Sequence, residues 1–250
     1  MPKLRIGCSG FAYDSWRHVF YPEDMPQQQW FNFYVGRFST VELNVTFYRL
    51  PQKETFMKWC KDSPENFAFS IKGSRFITHI KKLKDIQEPI DAFFSRATAL
   101  GEKLEVVLWQ LPPAFKADAG RLKEFLELIR PYSVRNTFEF RNEGWLNKKI
   151  LSILEKENAA VCMADWPGFL DDLPVTADFV YSRRHGEAGN YASSYSTEAL
   201  KKDAKRIKAY MRQGKDVYMY FNNDAFGYAP KNASELRELL KDLRPSRKKQ

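Results

Sequence analysis

Residues 40–44 read TVELN and residues 137–141 read TFEFR, and these two stretches decide the fold. In both, apolar and polar side chains alternate, which is typical of a strand whose two faces meet different surroundings. The apolar face consists of Val41, Leu43, Phe138 and Phe140. The polar face consists of Glu42, Asn44, Glu139 and Arg141. If the apolar faces pack against helices, the polar faces point into the interior of a closed barrel.

Six further apolar segments of similar length accompany these two, and polar residues end most of them. The eight predicted strands span residues 4–8, 40–44, 67–72, 105–110, 137–141, 160–164, 178–183 and 216–221. Helical patterns separate most neighbouring strands, which predicts a parallel sheet. Eight such units in 250 residues predict an α/β fold of the TIM-like (β/α)8 barrel type.

The segment after the sixth predicted strand departs from this pattern. Residues 166–177 read WPGFLDDLPVTA and contain two prolines and one glycine, so we expect the sixth helix to be short or missing. Thr197 is the expected cap of the seventh helix and Ser234 that of the last. We expect residues 1–240 to form a single barrel domain and residues 241–250 to form a flexible basic tail.

Net charge and cysteine content narrow the classes of protein to which this chain can belong. The net charge is +9, and the last ten residues, KDLRPSRKKQ, contain five basic residues and one acidic residue. Such a tail can attract nucleic acid nonspecifically, so nucleic acid remains an open partner. No apolar run approaches the roughly 18 residues of a membrane span, and no membrane partner is expected. Three widely spaced cysteines and no secretory signal favour a cytoplasmic protein with free thiols.

Several blocks of the sequence, taken in order, resemble those of domain of unknown function 72, the YecE-like family. The blocks are IGCSGFAYDSW, FYP, FSTVELNVTFYRLP, FSIKGSRFITH, LWQLPPAF, FEFRNEGW, SRRHG and YFNNDAFGYAPKNA. They span nearly the whole chain, although Arg184 in SRRHG stands where the family usually has an apolar residue. The resemblance implies a TIM-like barrel with a site at its C-terminal mouth, and it brings no settled activity.

The strand ends and the resemblance together highlight two sets of candidate site residues. The acid–base candidates are Glu42, Glu139, Asp165, His79 and His185. The substrate-binding candidates are Ser9, Asn44, Lys72, Gln110, Arg141, Arg183, Asn222, Asn223, Trp145 and Tyr195. In parallel barrels the carboxyl ends of all strands meet at one face, which is where these residues should converge.

Three kinds of chemistry fit these residues. Two carboxylates facing one cavity can serve as acid and base, as in glycosidases, or they can simply neutralise buried cations. Lys72, Arg141 and Arg183 can orient a phosphate or carboxylate. A divalent metal at Glu, Asp and His ligands is an open but less favoured alternative, because the same three cations would repel it. The cofactor, if any, is unknown.

The sequence therefore predicts an enzyme acting on a small anionic or phosphorylated substrate by acid–base chemistry at the mouth of the barrel. Glu42 or Glu139 would be the general base, and His79 or His185 the general acid. A nucleic-acid-binding or processing protein is the first alternative, based on the basic tail and the basic segment 75–84. A noncatalytic metabolite-binding protein is the second alternative.

Overall fold

The computed structural model describes residues 2–166, 168 and 171–243, and its centre is a barrel of eight parallel strands. The strands are β1 (Leu4–Cys8), β2 (Thr40–Leu43), β3 (Ala68–Lys72), β4 (Leu104–Leu111), β5 (Arg135–Phe140), β6 (Ala160–Ala164), β7 (Phe179–Arg184) and β8 (Asp216–Phe221). Each strand from β2 onwards pairs with its successor, and β8 pairs with β1. The predicted (β/α)8 barrel is confirmed.

Helices connect the strands on the outside of the barrel. They are α1 (Trp30–Val35), α2 (Val45–Tyr48), α3 (Lys53–Asp62), α4 (Gln87–Ala97), α5 (Ala119–Ile129), α6 (Lys148–Lys156), α7 (Thr197–Arg212) and α8 (Tyr228–Leu239). None of the α-helices lies between β6 and β7, where residues 165, 166, 168 and 171–178 are described. This agrees with the expectation that the two prolines of this segment leave little room for a helix.

The seam between β1 and β2 closes the barrel through a side chain as well as the backbone. The Tyr34 hydroxyl donates to the backbone oxygen of Thr40 at 3.0 Å and accepts from the backbone N–H of Cys8 at 2.9 Å. A side chain on Gly7 could not fit, since its Cβ would lie 2.4 Å from the Thr40 oxygen. Gly10 N–H then donates to the Glu42 carbonyl oxygen at 2.7 Å, which extends the seam towards the mouth.

Strand alternation divides the packing as the sequence predicted. The outward side chains of β5 pack on helices and loops: Phe138 meets Phe125 of α5 edge-on, and Phe140 stacks on Trp145 at 5.1 Å between ring centroids. The inward side chains form layers inside the barrel. In the middle layer, the Tyr220 hydroxyl contacts Thr40 Oγ1 at 2.7 Å and Ser70 Oγ at 2.8 Å.

Two of the expected helix caps are wrong. Ser196 rather than Thr197 caps α7, since its Oγ accepts from the Ala199 N–H. Helix α8 begins at Tyr228, directly after Gly227 at φ +71°, because this left-handed glycine turns the chain into the helix. Ser234 therefore lies inside α8, where its hydroxyl donates to the Pro230 carbonyl oxygen at 2.7 Å.

The predicted basic tail is described only at its beginning. Residues Lys241–Leu243 form a short 3-10 helical turn, and residues 244–250 lie outside the described part of the chain. Among the described residues, no helix is both long and apolar enough to span a bilayer.

Candidate functional site

Five ionisable side chains converge inside the barrel at the carboxyl ends of its strands. We call them the rim cluster: Glu42, Lys72, Glu139, Arg141 and Arg183. Each is at most 8% exposed, and Glu42 and Glu139 are fully buried. Such charges are tolerated in an interior only when partners compensate for the lost hydration.

Arg183 of β7 is the centre of the rim cluster. Its Nε and Nη2 donate to both oxygens of Glu42 at 3.0–3.1 Å, and its Nη1 donates to Glu139 Oε2 at 2.9 Å. One guanidinium thus joins carboxylates from β2 and β5 across the barrel. A planar guanidinium suits this role because its five donors point in fixed directions.

Glu42 has further donors, which leave both of its oxygens engaged. Ser9 Oγ donates to Oε1 at 2.5 Å, and the Tyr181 hydroxyl donates to Oε2 at 2.6 Å. Tyr181 lies one inward position before Arg183 on the same strand. The carboxylate is therefore held as an acceptor by neutral hydroxyls as well as by Arg183.

Glu139 is similarly surrounded by donors. Arg141 forms a close ion pair with its Oε1, and Gln110 Nε2 donates to the same oxygen at 3.0 Å. Burial alone would raise the pKa of Glu139, but the adjacent Arg183 and Arg141 guanidiniums outweigh it and lower the pKa. Glu139 is thus an ionised carboxylate that compensates the charge of two arginines.

Arg141 has one hydrogen-bond donor without an acceptor among the described residues. Its Nη1 donates to the backbone oxygen of Trp166 at 2.7 Å, and its guanidinium lies 4.6 Å from the centre of the Trp166 ring. Its Nε is buried and has no partner among the described residues. A buried donor without an acceptor is costly, and it commonly marks a place where a ligand or water binds.

His185 and Asp165 form a second network on the β6 and β7 side of the mouth. His185 Nε2 lies 3.1 Å from Arg183 Nη1 and 3.4 Å from Arg141 Nη2, both of which can only donate. Nε2 must therefore accept, and Nδ1–H donates to Asp165 Oδ1 at 3.1 Å. Burial lowers the pKa of His185, with Asp165 opposing that effect and Arg183 adding to it. Tyr195 completes the network with a short hydrogen bond from its hydroxyl to Asp165 Oδ2.

Lys72 differs from the other members of the rim cluster because no carboxylate of the described residues forms an ion pair with it. Its Nζ lies over the ring of Phe47, 4.1 Å from the ring centre. Burial lowers the pKa of Lys72 to about 8, and the nearby Arg183 contributes in the same direction. Lys72 as a whole residue is 7% exposed.

His79 stands beside Lys72 in a π-helical turn, Phe76–Ile80, that follows β3. Its ring packs edge-on against Phe47 at 5.0 Å between centroids, and its Nδ1 lies 2.9 Å from Thr78 Oγ1. Burial and the charges of Lys72 and Arg75 lower the pKa of His79 to about 4. The imidazole is therefore neutral at neutral pH.

The remaining predicted site residues divide into two groups. Asn44 follows β2 at the mouth with a buried Oδ1 that has no partner among the described residues, and Asn222 lies at the end of β8. Trp145 and Asn223 lie behind the barrel wall: the Trp145 indole donates to the Phe115 oxygen, and the Asn223 amide donates to Ser193 and Asn232. The structure thus does not place these two side chains with the rim cluster.

Arg184, the departure from the family block, points away from the rim cluster. Its guanidinium donates to both oxygens of Asp203 on α7, at 2.9 and 2.5 Å, and to Asp171 at 3.2 Å. A buried ion pair thus joins β7 to α7, and the two aspartates compensate the charge of Arg184.

The sequence interpretation missed Asp224, which follows Asn223 at the end of β8. Its Oδ1 is buried and has no hydrogen-bond partner among the described residues. Burial raises the pKa of Asp224 to about 7, although the Tyr13 hydroxyl and Arg183 oppose this. The signal was present in the sequence, because Asp224 ends the same FNND run that supplied Asn222 and Asn223.

A metal site was the less favoured prediction. Among the described residues, no group of three or more His, Cys, Asp and Glu side chains is arranged to hold a metal ion. The carboxylates Glu42 and Glu139 instead accept hydrogen bonds from arginine. The chemistry of this donor set therefore does not fit a divalent cation.

Comparisons with known proteins agree with the barrel fold and with the family resemblance of the sequence. Residues 5–250 match the profile of the family described as Protein of unknown function DUF72. The UPF0759 protein YunF of Bacillus subtilis (strain 168) is 26% identical over 95% of this chain and 94% of its own. A crystal structure of a DUF72 family protein from Thermotoga maritima MSB8 has a TM-score of 0.82 and 29% identity, covering 96% of this chain and 99% of that chain.

More distant similarity extends to sugar epimerases. A structure of L-ribulose 3-epimerase covers 98% of this chain and 100% of its own with a TM-score of 0.57 and 11% identity. Similarity at this level of identity establishes the shared barrel architecture alone. The same barrel supports many unrelated reactions, so it assigns no activity.

Proposed function

The chain belongs to the DUF72 family, and from this premise we propose that it is an enzyme that binds a small anionic or phosphorylated substrate at the mouth of its barrel. One observation carries the proposal: among the described residues, the buried Arg141 Nε has no acceptor, and the buried residue Lys72 forms no ion pair with a carboxylate. An oxyanion supplies the acceptors that both donors need, and it balances the third cation of the rim cluster.

The position of these donors supports the same proposal. TIM barrels bind substrates at the C-terminal face, often with a phosphate near the loops after strands seven and eight. Arg183 on β7 is fully occupied by Glu42 and Glu139, so it contributes to the local potential and holds the carboxylates in place. Arg141, directly after β5, and Lys72, at the end of β3, are the donors that we assign to direct contact with the anion.

The acid–base part of the proposal needs groups that can exchange protons near neutral pH. Glu139 and His185 have little freedom to do so, because arginines engage both of them and Asp165 holds the second nitrogen of His185. We assign proton donation to Asp224, whose pKa is about 7, and proton acceptance to His79, whose imidazole is neutral at pH 7. Glu42, Glu139 and Asp165 then serve as positioning residues for Arg183, Arg141 and His185.

The test is calorimetric titration of the protein with inorganic phosphate and simple phosphate esters at pH 7. Lys72→Met should weaken binding about tenfold or more, the loss expected when one charged hydrogen bond is removed. Lys201→Met, a change at an exposed lysine of α7, serves as the matched control and should leave binding unchanged. Equal losses in the two variants, or no binding at all, would contradict the anion site.

Turnover separates an enzyme from a noncatalytic metabolite-binding protein. Ligands found by the titration are incubated with the protein, and products are followed by mass spectrometry. An enzyme should convert at least one of them, and His79→Asn or Asp224→Asn should slow conversion with little change in affinity. Tight binding without conversion of any ligand would favour the metabolite-binding alternative.

A specific observation keeps nucleic acid as a second candidate. Large aromatic side chains are exposed in the segments that follow several strands, among them Tyr48, Trp166 and Phe226. Exposed aromatic rings beside cationic groups are suited to stacking with bases. Salt-dependent binding of short DNA and RNA tests this candidate, with and without residues 241–250. Binding that disappears with those residues would indicate nonspecific attraction to the tail.

A further inference from the structure

The rim cluster contains one group that the proposed anion site does not fully explain. Arg183 and Arg141 engage the carboxylates Glu42 and Glu139, and Lys72 is left as an amine without a counter-ion. An arginine would bind an anion at this position more tightly, since its guanidinium stays charged and forms bidentate hydrogen bonds. A lysine offers what arginine cannot, namely an amine that can lose its proton and attack carbon.

The surroundings of Lys72 favour the neutral amine. Burial lowers the pKa of Lys72 most, and the guanidinium groups of Arg183 and Arg141 lower it further, against the opposing effect of Glu139 and Glu42. The ionisable groups that act on the amine from the neighbouring elements are Glu42, His79, Glu139, Arg141 and Arg183. With a pKa of about 8, roughly a tenth of Lys72 is unprotonated at pH 7, far more than for an ordinary lysine.

A proton carrier lies next to this amine. The His79 ring and Lys72 Nζ pack against the same Phe47 ring, at 5.0 and 4.1 Å from its centre. His79 is neutral, and its Nδ1 is engaged by Thr78 Oγ1, which leaves Nε2 for proton exchange. An amine, a neutral imidazole and an apolar wall are the components that imine formation requires.

From this arrangement we infer that Lys72 is a nucleophile that forms an imine with the carbonyl group of an anionic oxo compound, such as an oxo acid or a phosphorylated aldehyde. The inference rests on the proposed function, because Arg141 would hold the anionic group while the carbonyl faces Lys72. The amine attacks the carbonyl carbon, a C–N bond forms, and the carbonyl oxygen takes up a proton. His79 relays both protons of the amine nitrogen to this oxygen, the first on addition and the second as the hydroxyl departs, so that water leaves and a C=N bond remains.

The test traps the imine by reduction. The full-length protein is incubated with glyoxylate and sodium cyanoborohydride at pH 7, and the modified lysines are mapped and timed by peptide mass spectrometry. Lys72 should be modified about tenfold faster than the exposed Lys201, because far more of its amine is neutral. The rate at Lys72 should rise with pH to a midpoint near 8. Inorganic phosphate should compete at Lys72 and leave Lys201 unaffected.

Two variants make the result specific. His79→Asn should slow modification of Lys72 about a hundredfold, the low end for loss of a general acid–base group, and leave Lys201 unchanged. Lys72→Arg retains the positive charge but has no amine that can attack carbon, so no imine should form at position 72.

The outcomes separate this inference from the proposed function. Modification of Lys72 no faster than that of Lys201, in a protein that still binds phosphate, overturns the imine and leaves the anion site intact. Fast modification that phosphate does not inhibit, in a protein that does not bind phosphate, supports the nucleophile and overturns the anion site.

Discussion

The two ends of this barrel each carry a network of charged side chains, and the networks differ in how completely they are paired. At the amino-terminal end, Glu105 accepts from Arg5 at 2.7 Å and from the Tyr218 hydroxyl at 2.7 Å. Arg135 there donates to Asp216 at 2.6 Å and Asp178 at 3.3 Å. Every cation of this network has a carboxylate partner, and the groups are partly exposed.

The carboxyl-terminal end is more deeply buried and less completely paired. The rim cluster has three cations and two carboxylates, and Lys72 has no partner among the described residues. The four buried side-chain atoms without hydrogen bonds, among the residues described, belong to Asn44, Arg141, Asn223 and Asp224, which all follow strands at this end. A complete network stabilises the fold, whereas an incomplete one is a cost that a ligand can relieve.

Removing the central arginine of each network should give the largest difference in stability between the two ends of the barrel. Arg183→Gln leaves Glu42 buried without an ion-pair partner and should lower the free energy of unfolding by about 3–5 kcal/mol. Arg135→Gln, at the partly exposed end, should cost about 1 kcal/mol. Urea denaturation measures both. Equal losses would mean that the two networks have the same role, and Glu42→Gln should partly rescue Arg183→Gln.

Asp224 should reveal itself through the pH dependence of stability. Its pKa is about 7 in the folded protein and about 4 when unfolded, so the folded state binds the proton more tightly and stability falls as pH rises between these values. Asp224→Asn should abolish this fall and raise stability at pH 8 by about 1–3 kcal/mol. Asp14→Asn, at an exposed aspartate, is the control. A variant that follows the wild-type profile would show that Asp224 is not a buried acid.

Lys72 should affect stability less than Asp224 does, and its effect should have the opposite dependence on pH. Its folded pKa of about 8 lies below the unfolded value near 10, so the protein should gain stability as pH rises through this window. Lys72→Met removes a buried charge without a partner and should stabilise the protein at pH 7 by about 1 kcal/mol. Thermal unfolding from pH 7 to 10 measures the difference, which should vanish at the upper end. Destabilisation by this variant at pH 7 would indicate that Lys72 has a counter-charge.

Some of this site could be predicted from sequence because strand alternation is a local property. The patterns TVELN and TFEFR were enough to direct Glu42 and Glu139 inwards, where Arg183 joins them. The sequence could not show which cation would meet which carboxylate, because that depends on which strands face each other across the closed barrel. Lys72 was a candidate partner for either glutamate, yet Arg183 and Arg141 engage both.

Loops were harder to predict than strands, for a physical reason. Trp145 follows β5 like a mouth residue, but its indole packs on Phe140 behind the barrel wall because burying a large aromatic surface outweighs exposure at a rim. The pKa of Asp224 depends on burial and on Tyr13, which comes from the other end of the sequence. Contacts of this kind are set by tertiary packing and leave no periodic signal in the chain.

The most direct test of anion binding by the rim cluster is a crystal structure of the protein from crystals grown in phosphate. It is compared with a structure of Lys72→Met from crystals grown in the same way. We expect phosphate in the wild-type mouth, within hydrogen-bonding distance of Lys72 Nζ, Arg141 Nε or both, and its loss in the variant. Phosphate bound only to exposed lysines outside the mouth, or bound unchanged in the variant, would contradict the assignment of the rim cluster as an anion site.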